Sequence, residues 1–407
     1  MPNPRGPISS GERIPALDIV RGVALLGIFI MNMPTFSHSL FASAGEPEFF
    51  GAGLNAHAAV FRELVFAGKF NSMFSLLFGI GFTLQLGRLQ ATQPERATWI
   101  YVRRLLVLLA LGLVHAGLIW SGDVLVVYAV LGFVLLLLRR APDALLLGLL
   151  GACLLYPAAS EMLRPHLLTP EVEAIAAFVY GDFEASNNHA LGQGSFVDAA
   201  IETSRMLAWG YGTTMGRWSY AAFYVQMGTA LFLGYFVGRR GWVRRLPELM
   251  PRIRRIQWAA LAVGGVCTAV FTAARAWAEA VDPSALTLLV NSCQTFGRFG
   301  LMIFYVLTLV RLAHLPAWQR RLAPFATAGR MPLSNYLLQT AMATFIFYGW
   351  GLGLWGRAGP VAELVLAVLL FTLVQLPLSI WWFRHWKTGP LEYAWRVLTY
   401  GARSRLS

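Results

Sequence analysis

The chain of 407 residues is 57% hydrophobic and 13% charged, and its formal net charge at pH 7 is +13. Soluble domains carry about 25% charged residues, so this composition excludes an ordinary soluble protein and indicates an integral membrane protein. A basic chain can also bind nucleic acid, but these arginines lie at the ends of apolar runs, where they orient membrane helices. We therefore expect the lipid bilayer as a partner and no nucleic acid.

Apolar runs long enough to cross a bilayer recur along the whole chain. About twenty apolar residues span the hydrocarbon core. On this criterion we predict ten spans, at about 16–37, 62–86, 100–120, 123–139, 143–162, 213–238, 256–277, 288–312, 332–354 and 361–383. Every second connection between them is basic, and basic loops stay in the cytoplasm. The sequence thus predicts an all-α, polytopic transmembrane bundle with both termini in the cytoplasm.

The longest connection divides the chain into three parts. We expect an N-terminal helical half at 1–162 with spans one to five, and a C-terminal half at 213–407 with spans six to ten and an amphipathic tail. Between them, 163–212 is predicted to be an extracytoplasmic cap loop with a short helix around 171–180. Cys153, Cys267 and Cys293 are isolated in apolar runs, so neither a disulfide framework nor a metal site is expected.

Span one carries an acid and an arginine at its start. Asp18 and Arg21 are three residues apart, so they share a helical face. Charges at membrane depth are costly and usually functional. The pair is either a local ion pair that positions the helix end or a polar floor that binds a phosphorylated ligand, since the arginine fork suits phosphate oxygens.

Two histidines follow span one in the first outer connection. His38 and His57 can each take and return a proton near pH 7, which transfer to an amine or hydroxyl requires. The plainer reading of both is an exposed loop histidine. His115, near the end of span three, is deeper, and its partner is expected from another helix. Asp123 is expected to cap the helix of span four.

Further polar side chains lie inside the later spans. Arg298 is in the middle of span eight and Arg217 is near the start of span six, and a buried arginine needs a partner or a water-filled cavity. Asn335 and Gln339 are four residues apart on one face of span nine. We expect them to form interhelical hydrogen bonds or to line a substrate cavity together with His115, Asp123 and Arg217.

Six segments in order along the chain resemble the YeiB-like family of bacterial multi-pass inner-membrane proteins, long classed as a domain of unknown function. The matching segments are 17–32, 69–82, 115–129, 329–339, 347–349 and 389–396. The first also resembles the Asp-x-x-Arg-Gly helix of transmembrane acyltransferases, among them the lysosomal enzyme that acetylates the terminal glucosamine of heparan sulfate. There the helix leads to an Asn, and a His in the next lumenal loop is the proposed catalytic residue. These positions match Asp18, Arg21, Gly22 and Asn32, with His57 as the candidate histidine at a longer spacing.

The resemblance implies a membrane acyltransferase in the bacterial inner membrane. Acyl-CoA would be the donor, held near Asp18, Arg21 and Arg298, and no covalently bound cofactor is expected. His57 and Asn32 would act on an extracytoplasmic acceptor, a small molecule or an envelope glycan or lipid. The alternative is a transporter or export component for a small polar or lipidic molecule, for which Arg298 and Arg217 would line an anion pathway. The sequence leaves a homo-oligomer open.

Overall fold

The computed structural model describes residues 14–39, 41, 53–280 and 285–401, and every regular element in these ranges is helical. Sixteen α-helices are present there: α1 Pro15–Ser37, α2 Leu54–Val65, α3 Lys69–Thr92, α4 Ala97–Leu118, α5 Leu125–Leu137, α6 Asp143–Leu167, α7 Pro170–Ala190, α8 Phe196–Gly212, α9 Thr214–Arg239, α10 Leu246–Ala280, α11 Ala285–Ala313, α12 Pro316–Gly329, α13 Pro332–Phe347, α14 Pro360–Leu370, α15 Leu376–His385 and α16 Pro390–Tyr400. The predicted all-α architecture is confirmed.

Eight of the ten predicted spans match helical stretches long and apolar enough to cross a membrane. The other two match α5 and α13, which have 13 and 16 residues. The burial of the apolar stretches differs sharply: 67% of the stretch in α1 is buried, against 11% of Asp143–Ser160 in α6. An apolar helix that stays exposed needs an apolar solvent, so α6 has the surface of a lipid-facing helix and α1 that of a central one.

Span two and span ten are interrupted helices. Gly68 separates α2 from α3 with φ +70°, and a Cβ there would lie 2.7 Å from the Arg298 side chain, so both conformation and space require glycine. A π-helical turn, Phe371–Gln375, joins α14 to α15. Pro377 has no N–H to continue the α-helical pattern there. Neither break can be read from apolar length alone.

The predicted cap loop at 163–212 is almost entirely helical. Instead of one short helix around 171–180, α7 and α8 occupy most of it. Pro170 begins α7, and α8 begins at a capping box in which Ser195 and Asp198 bond each other's backbone N–H groups. These start signals stabilise helices in a polar segment that apolar periodicity does not reveal. Ser204 Oγ donates to the Gly117 carbonyl at 2.6 Å and holds α8 against α4.

The two ends of the bundle differ in charge. At one end, called here the basic end, Arg240 pairs with Asp143, and Trp395 Nε1 donates to the Arg104 carbonyl at 3.0 Å. At the opposite end, backbone N–H groups of the 348–359 connection donate to the carbonyls of Leu191 and Ser37 at 2.8 and 2.7 Å. Each end is therefore closed by contacts between parts of the chain that are far apart in the sequence.

Helix α1 contacts α3, α11, α12, α13 and α14 and lies at the centre of the bundle. Its contact with α12 is backbone to backbone. A Cβ on Gly22 would lie 1.9 Å from the Phe325 carbonyl oxygen, and one on Gly329 would lie 1.9 Å from that of Asp18. The absence of side chains at Gly22 and Gly329 therefore sets the position of the Asp18 end of α1.

A buried carboxylate joins the C-terminal helix to the start of α13. Glu392 accepts hydrogen bonds from the backbone N–H groups of Leu333 and Ser334 at 2.7 and 3.1 Å, and from Ser334 Oγ at 2.6 Å. An acid at a helix N-terminus satisfies free N–H groups and the helix dipole. Burial nevertheless raises the pKa of Glu392 above its ordinary value, while the bonds from Ser334 oppose that rise.

We expect Gly329→Ala to destabilise the protein by about 1–3 kcal/mol, because the new methyl group forces α12 away from α1. Thermal unfolding of the detergent-purified protein measures this as a lower Tm. Gly148→Ala in α6 is the matched control, since nothing lies within 4 Å of its Cβ position. Equal Tm values for the two variants would contradict the close crossing.

The raised pKa of Glu392 predicts a pH dependence of stability. The folded state holds this proton more tightly than the unfolded state, so the contribution of Glu392 falls as the pH rises above the ordinary value of 4.5. The Tm difference between wild type and Glu392→Gln should therefore shrink with rising pH. Glu171→Gln is the control, because the pKa of Glu171, at the exposed start of α7, is lowered. Its Tm difference from wild type should change with pH in the opposite direction. A Tm difference between wild type and Glu392→Gln that does not change with pH would contradict the raised pKa of Glu392.

Candidate functional site

A cavity of about 440 Å³ runs into the bundle from the basic end. Its mouth is strongly cationic and is formed by five separate parts of the chain. The cations that line it are Arg21, Arg88, Arg104, Arg330, Lys387 and Arg396, and the acids are Asp18 and Glu392. Phosphate groups are bound by such clusters of guanidinium donors.

The inner part of the cavity is apolar and aromatic. Leu25, Leu77 and Leu108 line it, with Tyr128 and Tyr336 at the end remote from the arginines. Tyr128 is held by stacking on Phe78, with ring centroids 5.1 Å apart. A cationic mouth and an apolar interior together fit an amphiphile that has a phosphorylated head and an extended apolar arm.

Aromatic rings fix two of the cations at the mouth. The Arg104 guanidinium lies 3.5 Å from the centre of the Trp395 ring, and that of Arg330 lies 3.8 Å from the Phe383 ring. Such cation–π contacts hold the guanidinium in place while leaving its N–H donors directed elsewhere. The mouth is thus a preformed surface rather than a set of freely rotating side chains.

Asp18 and Arg21 form the ion pair expected from their spacing. Arg21 Nη1 lies 2.7 Å from Asp18 Oδ1, and the two side chains are 25% and 14% exposed. Both also line the cavity mouth. The two readings of this pair are therefore compatible, because an ion pair that positions the helix end also forms part of the floor of the cavity.

A buried His–Asp pair lies beside the inner end of the cavity. His115 Nδ1 is 2.8 Å from Asp123 Oδ1, and Asp123 Oδ2 accepts from the backbone N–H of Val126 at 2.8 Å. The carboxylate has no hydrogen to donate, so Nδ1 carries a hydrogen, and in the neutral imidazole Nε2 is then an acceptor. The expectation that the partner of His115 comes from another helix is therefore wrong: it comes from the connection directly after α4, eight residues on. Asp123 also caps α5, as expected.

Tyr336 connects this pair with the cavity. Its ring lies 5.5 Å from the His115 ring between centroids, and its hydroxyl accepts from the Val124 N–H at 3.3 Å. Tyr336 and Val124 both line the cavity. His115 is 2% exposed, and its Nε2 atom has no hydrogen-bonding partner among the described residues. This geometry is that of a histidine base oriented by a carboxylate.

Asn335 and Gln339 do not line this cavity. They form the expected interhelical hydrogen bonds: Asn335 Nδ2 donates to Ser379 Oγ at 3.1 Å, and Gln339 Nε2 donates to the Leu25 carbonyl at 3.1 Å. Gln375 Nε2 returns a bond to the Asn335 carbonyl at 2.8 Å. The network joins α13 to α1 and to the interrupted helix α14–α15.

The two arginines predicted inside spans six and eight, Arg217 and Arg298, do not line the cavity. Arg298 Nη2 pairs with Glu63 Oε1 at 3.2 Å, and Lys69 Nζ donates to the Glu63 carbonyl at 3.1 Å. These contacts hold α11 against the break between α2 and α3. Arg217 is exposed near the start of α9.

The two residues predicted to be catalytic are apart from the cavity. His57 is exposed on α2, and its Nδ1 lies 2.8 Å from the Gly53 carbonyl oxygen. Asn32 is half-buried in α1, where its carbonyl accepts from Thr35 Oγ1 at 2.7 Å. The catalytic assignment of His57 stays a prediction from resemblance.

A second buried polar cluster was not predicted from the sequence. Glu363 at the start of α14 accepts from Ser37 Oγ and pairs with Arg62 at 2.7 Å. His38 is buried, not the exposed loop histidine of the plainer reading, and its Nδ1 lies 3.0 Å from Ser37 Oγ. The available signal was Glu363 itself, the one acid in predicted span ten.

Glu392, Arg104 and Arg396 were not predicted as cavity residues. They come together because α16 packs against α4, which lies far from it in the sequence.

Comparison with known proteins gives relatives along the whole chain. A family model described as "Protein of unknown function (DUF418)" matches residues 237–402. The chain is 32% identical to "Uncharacterized protein YxaH" of Bacillus subtilis, over 97% of this chain and 96% of the relative. It is 30% identical to "Uncharacterized protein YeiB" of Escherichia coli K12, over 95% and 96%. No solved structure matches. The chain therefore belongs to the YeiB-like DUF418 family.

Proposed function

We propose that this protein is a membrane-bound acyltransferase of the bacterial inner membrane that takes an acyl group from acyl-CoA. The observation that carries the proposal is one cavity with a cationic mouth, an apolar interior and a buried His–Asp pair beside its inner end. Basic connections stay in the cytoplasm, so the mouth would open toward cytoplasmic CoA. The acceptor would be a small molecule or an envelope glycan or lipid.

The donor fits the cavity in one direction. Its phosphates would contact Arg21, Arg104 and Arg396 at the mouth, and its pantetheine arm would follow Leu25 and Leu108 inward. The thioester would then lie near Tyr336, on the cavity side of His115. A cavity of about 440 Å³ lies in the usual range of roughly 300–1,000 Å³ for small-molecule sites and accommodates the arm rather than the whole nucleotide.

His115 is the better-placed base. Its Nε2 would take the proton from an acceptor hydroxyl or amine, whose oxygen or nitrogen forms a bond to the thioester carbonyl carbon. The C–S bond then breaks, and the proton passes from Nε2 to the departing CoA thiolate. Asp123 would hold the ring and stabilise its protonated form. The exposed His57 contacts the Gly53 carbonyl oxygen, and no carboxylate orients its ring in the described part of the chain.

The transport alternative draws less support from the geometry. Arg298 is paired with Glu63, and Arg217 is exposed. Neither lines the cavity that enters from the basic end. A cavity ending at packed tyrosines beside a His–Asp pair favours chemistry over passage.

Arg396→Ala is expected to weaken CoA binding by at least about tenfold, because a charged hydrogen bond contributes roughly 1.5–3 kcal/mol. Arg396 is a suitable target because its Nε atom is buried without a partner among the described residues. Calorimetric titration of the purified protein with CoA measures the affinity. Arg244→Ala, which removes a cation from a separate cleft, should leave it unchanged. An equal loss of CoA affinity in both variants would mean that the affinity depends on the net charge of the protein and not on Arg396.

Asp123→Asn tests the role of the His–Asp pair. The Asn oxygen must accept from the Val126 N–H, so its NH₂ group faces His115 Nδ1 and forces the proton onto Nε2. We expect acyl transfer to fall about 10²- to 10⁴-fold, since the base is lost, with CoA affinity unchanged. Radiolabelled acetyl-CoA with envelope extract measures transfer. Wild-type transfer by Asp123→Asn would exclude His115 as the base.

A further inference from the structure

Two neighbouring buried rings each carry a nitrogen that lacks a hydrogen-bonding partner in the described part of the chain. These nitrogens are His115 Nε2 and Trp120 Nε1, on side chains that are 2% and 3% exposed. The ring centroids are 6.2 Å apart, and the planes are inclined at 72°. A buried polar atom without a hydrogen-bonding partner destabilises the folded state, so two of them on neighbouring rings require an explanation.

The two atoms have opposite hydrogen-bonding character. The indole N–H of Trp120 can only donate. In the neutral imidazole His115 Nε2 can only accept, because Asp123 holds the single ring hydrogen on Nδ1. A hydroxyl group satisfies both, since it donates one hydrogen and accepts another. A carboxylate has no hydrogen for His115. An aliphatic amine is mostly ammonium near pH 7 and in that form has no lone pair for Trp120.

The position of this pair relates it to the donor cavity. Tyr336 contacts the His115 ring from the cavity side. Trp120 packs on Phe36, with ring centroids 4.4 Å apart, in the last turn of α1. The pair thus lies between the inner end of the cavity and the opposite end of the bundle.

We propose that His115 and Trp120 form the acceptor subsite and that the acceptor is an uncharged alcohol, such as a sugar or lipid hydroxyl. This inference rests on the proposed acyltransferase function and narrows it to ester formation. The acceptor O–H gives its proton to His115 Nε2 while its oxygen bonds to the thioester carbon. The C–S bond breaks, and CoA leaves as the thiol after receiving that proton. Trp120 orients the hydroxyl oxygen through its N–H.

The test measures hydroxyl binding without any donor. Protein with ¹⁵N-labelled indoles is titrated with 1-propanol, propylammonium and propionate, which match in size and differ in the head group. The Trp120 indole resonance, assigned by its loss in Trp120→Phe, should shift saturably with 1-propanol alone. His115→Phe should weaken this binding about 2- to 12-fold, the equivalent of one hydrogen bond. His385→Phe, at an exposed histidine, should leave it unchanged.

A second variant keeps the test decisive if His115→Phe does not fold. Asp123→Asn retains the ring but turns Nε2 into a donor, so the subsite then presents two donors. Its preference should change from 1-propanol to propionate. Equal shifts with all three probes, or an unchanged preference in Asp123→Asn, would overturn the subsite.

The outcomes separate this inference from the proposed function. Selective 1-propanol binding without CoA binding would retain the hydroxyl subsite and refute the acyl-CoA donor. CoA binding without selective 1-propanol binding would refute the subsite and leave the donor site standing.

Discussion

The carboxylate of Asp123 accepts two hydrogen bonds, one on each oxygen, and each bond fixes a different part of the structure. One oxygen accepts from the start of α5, and the other accepts from His115. An ionised carboxylate can only accept, so His115 Nδ1 must donate to it, and the neutral imidazole is held in a single tautomer. The acceptor character of His115 Nε2 follows from this bond. The proposed role of His115 as a base depends on the same bond. The proposed hydroxyl subsite depends on it too, because the subsite needs one acceptor, His115 Nε2, beside one donor, Trp120 Nε1.

The mouth of the cavity depends on a constraint of a different kind, close backbone approach. Gly22 and Gly329 let α1 and α12 touch, which brings Asp18 and Arg21 beside Arg330. Helix α16 then closes the mouth, with Glu392 bonded to the N-terminus of α13 and Trp395 packed under Arg104. Cations that would repel one another are thus held close together by glycine packing, one buried acid and aromatic rings.

Features that depend on neighbouring residues could be predicted from the sequence. Apolar length predicted the helices, and three-residue spacing predicted the pair of Asp18 and Arg21. Features that depend on contacts across the bundle could not. The break at Gly68 is required by the distant Arg298, and the pair of Ser37 and Glu363 joins residues 326 positions apart. The choice among His38, His57 and His115 likewise depends on which one is buried beside a carboxylate and a cavity, and spacing carries no information on that.

The arrangement also separates the two substrates in the proposed reaction. Tyr336 contacts both the cavity and His115, so it forms the boundary between the donor side and the acceptor side. An acyl-CoA entering from the basic end would meet this ring before water or an acceptor could reach the thioester from the opposite end. Exclusion of water from a reactive thioester favours transfer over hydrolysis. Tyr336 accepts from the Val124 N–H, and Val124 directly follows Asp123, so the same connection holds both the boundary residue and the residue that orients the base.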